Sequence, residues 1–378
     1  MKMSMELSRQ EQEEARDLVM QLLDRTLYDC NELGLGVKHK VFNHADMNSK
    51  RWKKLQSYPD LTLYADRTPN SAWLPVMHRG DWEQPAAVVA VGRMNCSVDD
   101  MLLAFLATSV AALRLQSLLL CRRPDQNVKL VSIVKPTETT PFQYLGVVQL
   151  ITTQHWPFTM FVGPREVMAT CATGDVVTAN GRRFGYEICL SVPFCRSANL
   201  ARSQIVMTRV FWEQSDGTVG MYSKFITDIR IHLPESVKQG MLCRAVLRFF
   251  WKFIPRCIEM KKLRWCLKNK SVLIADLLSQ PQVMGGPASC GGCGAYALQL
   301  VNEKPRKLNE HRCVLCDVWL CWKSFCRTSC QVTAVVGDGP DLCEKELALC
   351  PRCTIFAQNA SAVRIARSEL SNTYCASQ

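Results

Sequence analysis

The chain has 378 residues, 48% of them hydrophobic and 21% charged, with a formal net charge of +12. That balance belongs to a packed globular protein of two or three domains, which does not need metal to fold throughout. The first fourteen residues are acid-rich and lack an apolar core, which excludes a secretory signal and argues against a transit peptide, so a reducing intracellular setting is expected.

Taken in order, Ser8 to Leu33 carries Leu18, Leu22, Leu23 and Leu27 at helical spacing behind a charged first turn. Gly34-Leu35-Gly36 ends that helix, and a basic connector through Arg51 to Leu55 leads into a strand at Leu61 to Ala65. A second strand spans Ala86 to Met94, and Ser97-Val98-Asp99-Asp100 then offers a serine cap with an acid three positions on. The window Met101 to Cys121 is long enough for a bilayer, but Arg114, Gln116 and Thr108-Ser109 interrupt it; a buried amphipathic helix is the expectation.

Strands follow at Val128 to Val134, Phe142 to Thr153, Phe161 to Thr170 and Arg183 to Val192. Ile205 to Trp212 and Thr218 to Ile226 form a hairpin across Ser215-Asp216-Gly217. From Glu235 to about Lys268 the apolar residues recur at three and four, and Pro255 is expected to kink or interrupt this long helix. Between Lys238 and Lys270 ten Lys or Arg stand against the single acid Glu259, a stripe suited either to a phosphate-bearing surface or to a solvated helix face. The predicted plan is α+β, with an antiparallel sheet curved around the last helix.

Ten of the twenty cysteines fall between Cys290 and Cys353. Cys290-Gly-Gly-Cys293, Cys313-Val-Leu-Cys316 and Cys350-Pro-Arg-Cys353 are three Cys-x-x-Cys pairs, each placing two thiolates on one side of a tight turn. Scattered cysteines such as Cys30, Cys96, Cys171 and Cys189 read as ordinary buried side chains. The six histidines are dispersed, and there is no phosphate-binding glycine loop, nucleophile elbow or His-Glu-x-x-His helix, so an enzyme is not expected.

The Trp52-Lys53-Lys54 segment, Val91-Gly92 feeding Asp99-Asp100, Pro141 to Gly146, Pro164-Arg165-Glu166-Val167 and Gly181 to Tyr186 together resemble START-like lipid-transfer domains. The similarity extends to two-domain proteins in which a START-like module is followed by a FYVE-like zinc finger. It implies a START-like helix-grip domain over 8–268, a linker at 269–289, a zinc-binding module at 290–366 and a tail at 367–378. In the helix-grip fold the curved sheet and C-terminal helix enclose an apolar tunnel, which the faces of Phe249, Phe250 and Phe253 would roof.

The finger pattern implies two crossed Zn2+ sites, the first and third ligand pairs on one ion and the second and fourth on the other. Cys313, Cys316, Cys350 and Cys353 complete one site. The other has Cys290, Cys293 and Cys321, but Ser324 stands where its last ligand is expected, and Cys326, with Cys330 as a second candidate, takes that role. Four thiolates leave no open coordination position, so such a zinc folds the module and does not catalyse.

Resemblance also implies contact with an anionic membrane through Arg306, Lys307, His311 and Arg312. Glu310 interrupts that run and the family's upstream Trp-x-x-Asp is absent, which leaves generic attraction in place of a specific phosphoinositide. The expected protein is a non-enzymatic lipid-binding or membrane-associated adaptor, cytoplasmic and peripheral on endosomal membranes. Competing readings are a protein-interaction scaffold without lipid, a RING-like ubiquitin ligase, and a nucleic-acid binder.

Overall fold

The computed structural model describes residues 6–32, 50–66, 82–83, 85–121, 128–152, 165–194, 202–228, 233–273, 289–295, 312–321 and 324–375. Most of the expected linker lies outside that set. The chain divides into two compact units, one of residues 1–255 with 370–378 and one of residues 256–369.

The first unit opens with helix α1 (Arg9–Glu32). Ser8 caps it: the Glu11 amide donates to the Ser8 hydroxyl at 3.2 Å and the Ser8 amide donates to the Glu11 carboxylate at 2.7 Å. Strands β1 (Trp52–Tyr58), β2 (Leu61–Asp66) and β3 (Ala86–Met94) follow. The stretch predicted as a basic connector is therefore an edge strand, whose lysines point to solvent while Trp52 is buried.

Ser97 caps α2 (Val98–Phe105) through the predicted box, and the apolar window then bends by 102° into α3 (Val110–Cys121). It is two helices where one was expected, and among the described residues no single helix is long and apolar enough to cross a membrane. Gln116 donates to the carbonyls of Ala104 and Phe105 at 3.0 and 3.1 Å, satisfying the exposed end of α2 across the bend.

Strands β4 (Lys129–Val134), β5 (Tyr144–Thr152), β6 (Arg165–Val177), β7 (Arg183–Ser191), β8 (Gln204–Glu213) and β9 (Val219–Asp228) complete a nine-stranded antiparallel sheet ordered β1-β2-β3-β9-β8-β7-β6-β5-β4. Gly217, at φ +81°, closes the β8–β9 hairpin in the backbone region that favours glycine. β6 runs seven residues past the predicted end at Thr170, because Cys171 to Val177 pair in register with β7.

Strand alternation gives the sheet two different faces. On the first, Leu145, Ala172, Ile188 and Val89 stand with Val147, Leu190, Val210 and Tyr222 under α1, forming the main core with Leu18, Leu22 and Leu23. Also buried at this face is an ionic chain: Arg51 reaches Asp29 at 3.3 Å and Asp66 at 3.7 Å, and Lys224 reaches Asp66 at 3.4 Å.

Burial outweighs the attraction of Asp66 and pulls the Lys224 ammonium down from 10.5 to about 8. Below about 8 the group is charged in both states and the burial cost is present in full; between about 8 and 10.5 the unfolded chain binds more protons, so this site's contribution to stability rises with pH. Urea midpoints of wild type and Lys224→Met, measured between pH 7 and 10, are expected to shift in favour of wild type above pH 8. Comparing the two chains cancels the opposite effect of thiols such as Cys30, which burial pushes up.

Against β3 on the second face packs α4 (Glu235–Arg248), continued by a π-helical turn (Phe249–Phe253); α5 (Ile254–Lys268) follows in the chain. Pro255 does not break the run. In the turn before it the Ile254 amide donates to the Phe249 carbonyl, a wider winding that absorbs the missing amide and the proline ring.

In the second unit residues 256–268 pack with α6 (Ser324–Ser329), β10 (Gln331–Val336), β11 (Cys343–Ala348), α7 (Pro351–Gln358) and the start of α8 (Ala362–Cys375). The unit boundary thus falls at Pro255–Arg256, ahead of the position expected from the helical pattern, and the expected tail is largely helical. Four of the stripe's ten cations are engaged within the second unit: Arg256 pairs with Glu344 at 2.7 Å, Lys262 donates to the Gln358 carbonyl at 2.9 Å, Arg264 pairs with Asp338, and Lys268 reaches the same Asp338 at 2.9 Å. Those four hold the β10–β11 hairpin and the end of α7.

Candidate functional site

Two features carry chemistry, one in each unit. In the second unit, two knuckles of the same design present the thiols. The Gly294 amide donates to the Cys290 carbonyl at 2.8 Å and the Asp317 amide to the Cys313 carbonyl at 2.9 Å. Gly294 and Asp317, just past each Cys-x-x-Cys, have φ of 74° and 61°, the left-handed step that turns the chain back beneath its sulfurs. Gly291 is required by close packing, since a Cβ there would stand 2.5 Å from the Val318 side chain.

The structure brings together Cys290, Cys293, Cys321 and Cys326 in one cluster and Cys313, Cys316, Cys350 and Cys353 in another, the four Sγ atoms of each within 4.8 Å of one another. Each cluster could hold a metal ion. Cys326 comes from α6, while Cys350 and Cys353 sit at the cap and first turn of α7. Cys330 is buried beside the first cluster without joining its four: a Cβ on Gly292 would lie 3.1 Å from the Sγ of both Cys326 and Cys330.

Backbone amides aim at the sulfurs. Cys321 and Gly292 donate to Cys290 Sγ at 3.1 and 3.3 Å, and Cys350 donates to Cys313 Sγ at 3.4 Å. Against burial, which raises it, such donors pull the Cys290 thiol down to about 7. The hydrogen bonds of Cys316, Cys350 and Cys353 hold Cys313 far below the ordinary thiol range. Their partners move the other way: burial raises Cys326, and the hydrogen bonds shared with Cys313 raise Cys350 and Cys353, so within each cluster the lowered thiols ionise first.

Of the residues assigned to membrane contact, Arg306, Lys307 and His311 lie outside the described residues. Arg312 is exposed, and its guanidinium is committed to the neighbouring knuckle, reaching the Asp317 carboxylate at 2.9 Å and carbonyl at 3.1 Å.

The first unit's site is the second face of the sheet. Register places Tyr144, Thr173, Glu187, Arg209, Ser223 and Ala90 in one row across it. Arg209 is fully buried and ion-paired with Glu187, donates to Ser223 Oγ at 3.0 Å, and has Phe105 and Phe249 rings 4.5 and 4.6 Å from its guanidinium carbon. Burial pulls this guanidinium down to about 9, still charged at neutral pH. The Phe249 ring also stacks on Phe105 with centroids 6.2 Å apart and meets Phe253 at 4.7 Å; Phe250 and Phe253 are buried.

Away from that aromatic cluster the second face is less covered than the first. Val167, Cys171, Cys189, Ile205 and Met207 are all half-buried, whereas Met168, Ala172, Ile188, Leu190 and Val206 on the opposite face of the same strands are closed off. Sequence reasoning named the three phenylalanines but did not single out Arg209 and Glu187. The available signal was an opposite-charge pair inside adjacent, otherwise apolar strands.

No family model matches the chain, and no curated protein matches it. Among solved structures it is similar to human StAR-related lipid transfer protein 5, at 11% identity over 64% of this chain and 97% of that one, with a TM-score of 0.40. Human STARD10 is similar at 11% identity over 64% of this chain and 90% of that one, with a TM-score of 0.38. A STAR-related lipid transfer protein fragment from Xanthomonas axonopodis is similar at 11% identity, covering 55% of this chain and 98% of that one, at a TM-score of 0.35.

Proposed function

We propose that the chain is a non-enzymatic lipid-binding adaptor: a START-like unit that takes one hydrophobic ligand, followed by a FYVE-like module stabilised by two zinc ions. The observation that carries the ligand reading is the half-open apolar patch on the second face, with the buried Arg209–Glu187 pair at its edge. An ion pair removed from water is costly to maintain, and beside apolar surface it is suited to hold the single polar group of an otherwise greasy molecule.

Zinc is favoured by the donor set. Four thiolates at a Zn–S distance of about 2.3 Å place sulfurs about 3.8 Å apart in a tetrahedron; the sulfurs of Cys293 and Cys321 stand at 3.5 Å and those of Cys316 and Cys350 at 3.7 Å. The thiols of Cys290, Cys293, Cys321 and Cys326 would hold one ion, those of Cys313, Cys316, Cys350 and Cys353 the other, and the amides that donate to sulfur would orient them. Zinc supplies crosslinking here, not Lewis-acid chemistry. The module's output is docking on an anionic membrane, peripheral to endosomes, or recruitment of a protein partner.

The test incubates the full-length chain with phosphatidylcholine–phosphatidylserine vesicles, with and without phosphoinositide, then separates it by flotation and weighs the soluble fraction by native mass spectrometry. One lipid per chain is expected in the soluble fraction. A chain that never acquires lipid from any vesicle overturns the ligand reading, and one that floats on none of them overturns the membrane reading alone.

A further inference from the structure

The second face carries a pair of nucleophiles that lipid binding does not call for. Cys171 and Cys189 are directly opposed in the β6–β7 register, and their Sγ atoms stand 3.5 Å apart. Both are half-buried, facing the same side of the sheet as Arg209, with Gly146 and Met207 opposite them on the outer neighbouring strands. We propose that Cys171 and Cys189 are a reversible thiol–disulfide pair, closed across β6 and β7 by a low-molecular-weight disulfide such as oxidised glutathione.

Geometry supports the closure. Directly opposed residues of an antiparallel pair have Cα atoms about 4.5–5.5 Å apart, inside the range of about 4.4–6.8 Å that a disulfide spans. The sulfurs need only rotate about χ1 to come roughly 1.5 Å closer. The two strands are paired continuously from Ala169–Ser191 to Val177–Arg183, so the backbone already holds both thiols in register. Gly146 stands opposite Cys171, and the Tyr144 hydroxyl fills the space that a Cβ there would take.

The exchange balances in two steps. A thiolate on Cys171 attacks one sulfur of oxidised glutathione, forming a mixed disulfide and releasing one glutathione thiolate, which takes up a proton. Cys189 then attacks the Cys171 sulfur, gives its proton to solvent, and expels the second glutathione. Two protein thiols are oxidised and one glutathione disulfide is reduced to two thiols. The hydrogen bond shared with Cys171, and then burial, hold the Cys189 thiol well above its ordinary range. The pairing goes beyond the reading of both residues as ordinary buried side chains, and because both thiols stand in the half-open patch a ligand there would compete with glutathione for access.

The experiment equilibrates the full-length chain, as purified, in glutathione buffers of increasing oxidised fraction, traps free thiols with N-ethylmaleimide and maps peptides by mass spectrometry. Cys343, which is exposed, serves as the internal control for oxidant reactivity. The expected product joins the Cys171 and Cys189 peptides, two hydrogens lighter than the reduced pair, and is reversed by excess reduced glutathione. In the Cys171→Ser chain no such crosslink forms, and Cys189 is recovered alkylated or as a glutathione adduct. Recovery of both wild-type thiols alkylated, under conditions where Cys343 carries glutathione, overturns the proposal. So does a Cys189 crosslink to any other cysteine that persists in Cys171→Ser.

Discussion

Stripping metal from the full-length chain with a strong chelator is expected to unfold the cysteine-bearing part of the second unit while the nine-stranded sheet keeps its amide protection. The reason is that, among the described residues, the apolar cluster at the first set of cysteines is small, while buried side chains such as Leu263, Trp265, Val335 and Ile365 lie elsewhere in the unit. Around the first cluster the buried contacts are the cysteines themselves, Cys290, Cys321 and Cys326, with Cys293 and Trp319 packed against them. So small a core stabilises little by itself. Structural zinc contributes on the order of 10–16 kcal/mol of apparent binding free energy, which in such a module is folding free energy. The sheet, by contrast, has Leu18, Leu22, Leu23, Tyr186, Trp212 and Tyr222 closed beneath α1 and needs no ion. Hydrogen exchange read by mass spectrometry, before and after chelation, localises the effect. Cys313→Ser and Cys290→Ser are each expected to lower zinc content from two ions per chain to one, by atomic emission. A chelated chain whose second unit stays protected would remove the structural role of the metal.

Arg209→Met is expected to cost about 3–5 kcal/mol of stability in the first unit, because it leaves the Glu187 carboxylate without its cation beside an apolar face. Replacing both partners, Arg209→Met with Glu187→Met, is expected to recover most of that loss, since the desolvation cost of both charges disappears with their attraction. Urea titration of the wild type, the two single variants and the double variant gives the coupling. The same set divides stability from function: the double variant regains the fold but takes up lipid at least tenfold less well by native mass spectrometry, if the pair anchors the ligand's polar group. A double variant with wild-type lipid uptake assigns the pair to structure alone.

Legibility in the sequence differed by element for physical reasons. β7 was readable because a buried face alternates with a half-buried one, β3 and β9 because they are buried on both faces over most of their length, and the Ser97–Asp100 cap because it is a local hydrogen-bond motif. β1 was missed because an edge strand may keep lysines on its solvent side. The far end of β6 was missed because Thr173-Gly174-Asp175 has the composition of a turn, and pairing with β7 overrides it. One apolar window became two helices: Ser109 caps the second, accepting from the Ala112 amide at 3.1 Å, and Gln116 reaches back to the last carbonyls of α2. Charge counts along the basic stripe did not say that four of its cations are taken by Glu344, Asp338 and the carbonyl of Gln358.

By itself the sequence determined the α+β plan and the number and spacing of the sulfur pairs, because periodicity and ligand spacing are local properties of the chain; the structure is what put Cys326 and not Cys330 with Cys290, Cys293 and Cys321. Only the tertiary structure decided which face of the sheet is closed and which stays half-open. It alone paired Arg209 with Glu187 and Cys171 with Cys189, and it drew residues 256–268 into the second unit. Those facts depend on strand register and on which side a helix packs, and contacts between residues far apart in the chain leave no periodic trace in it.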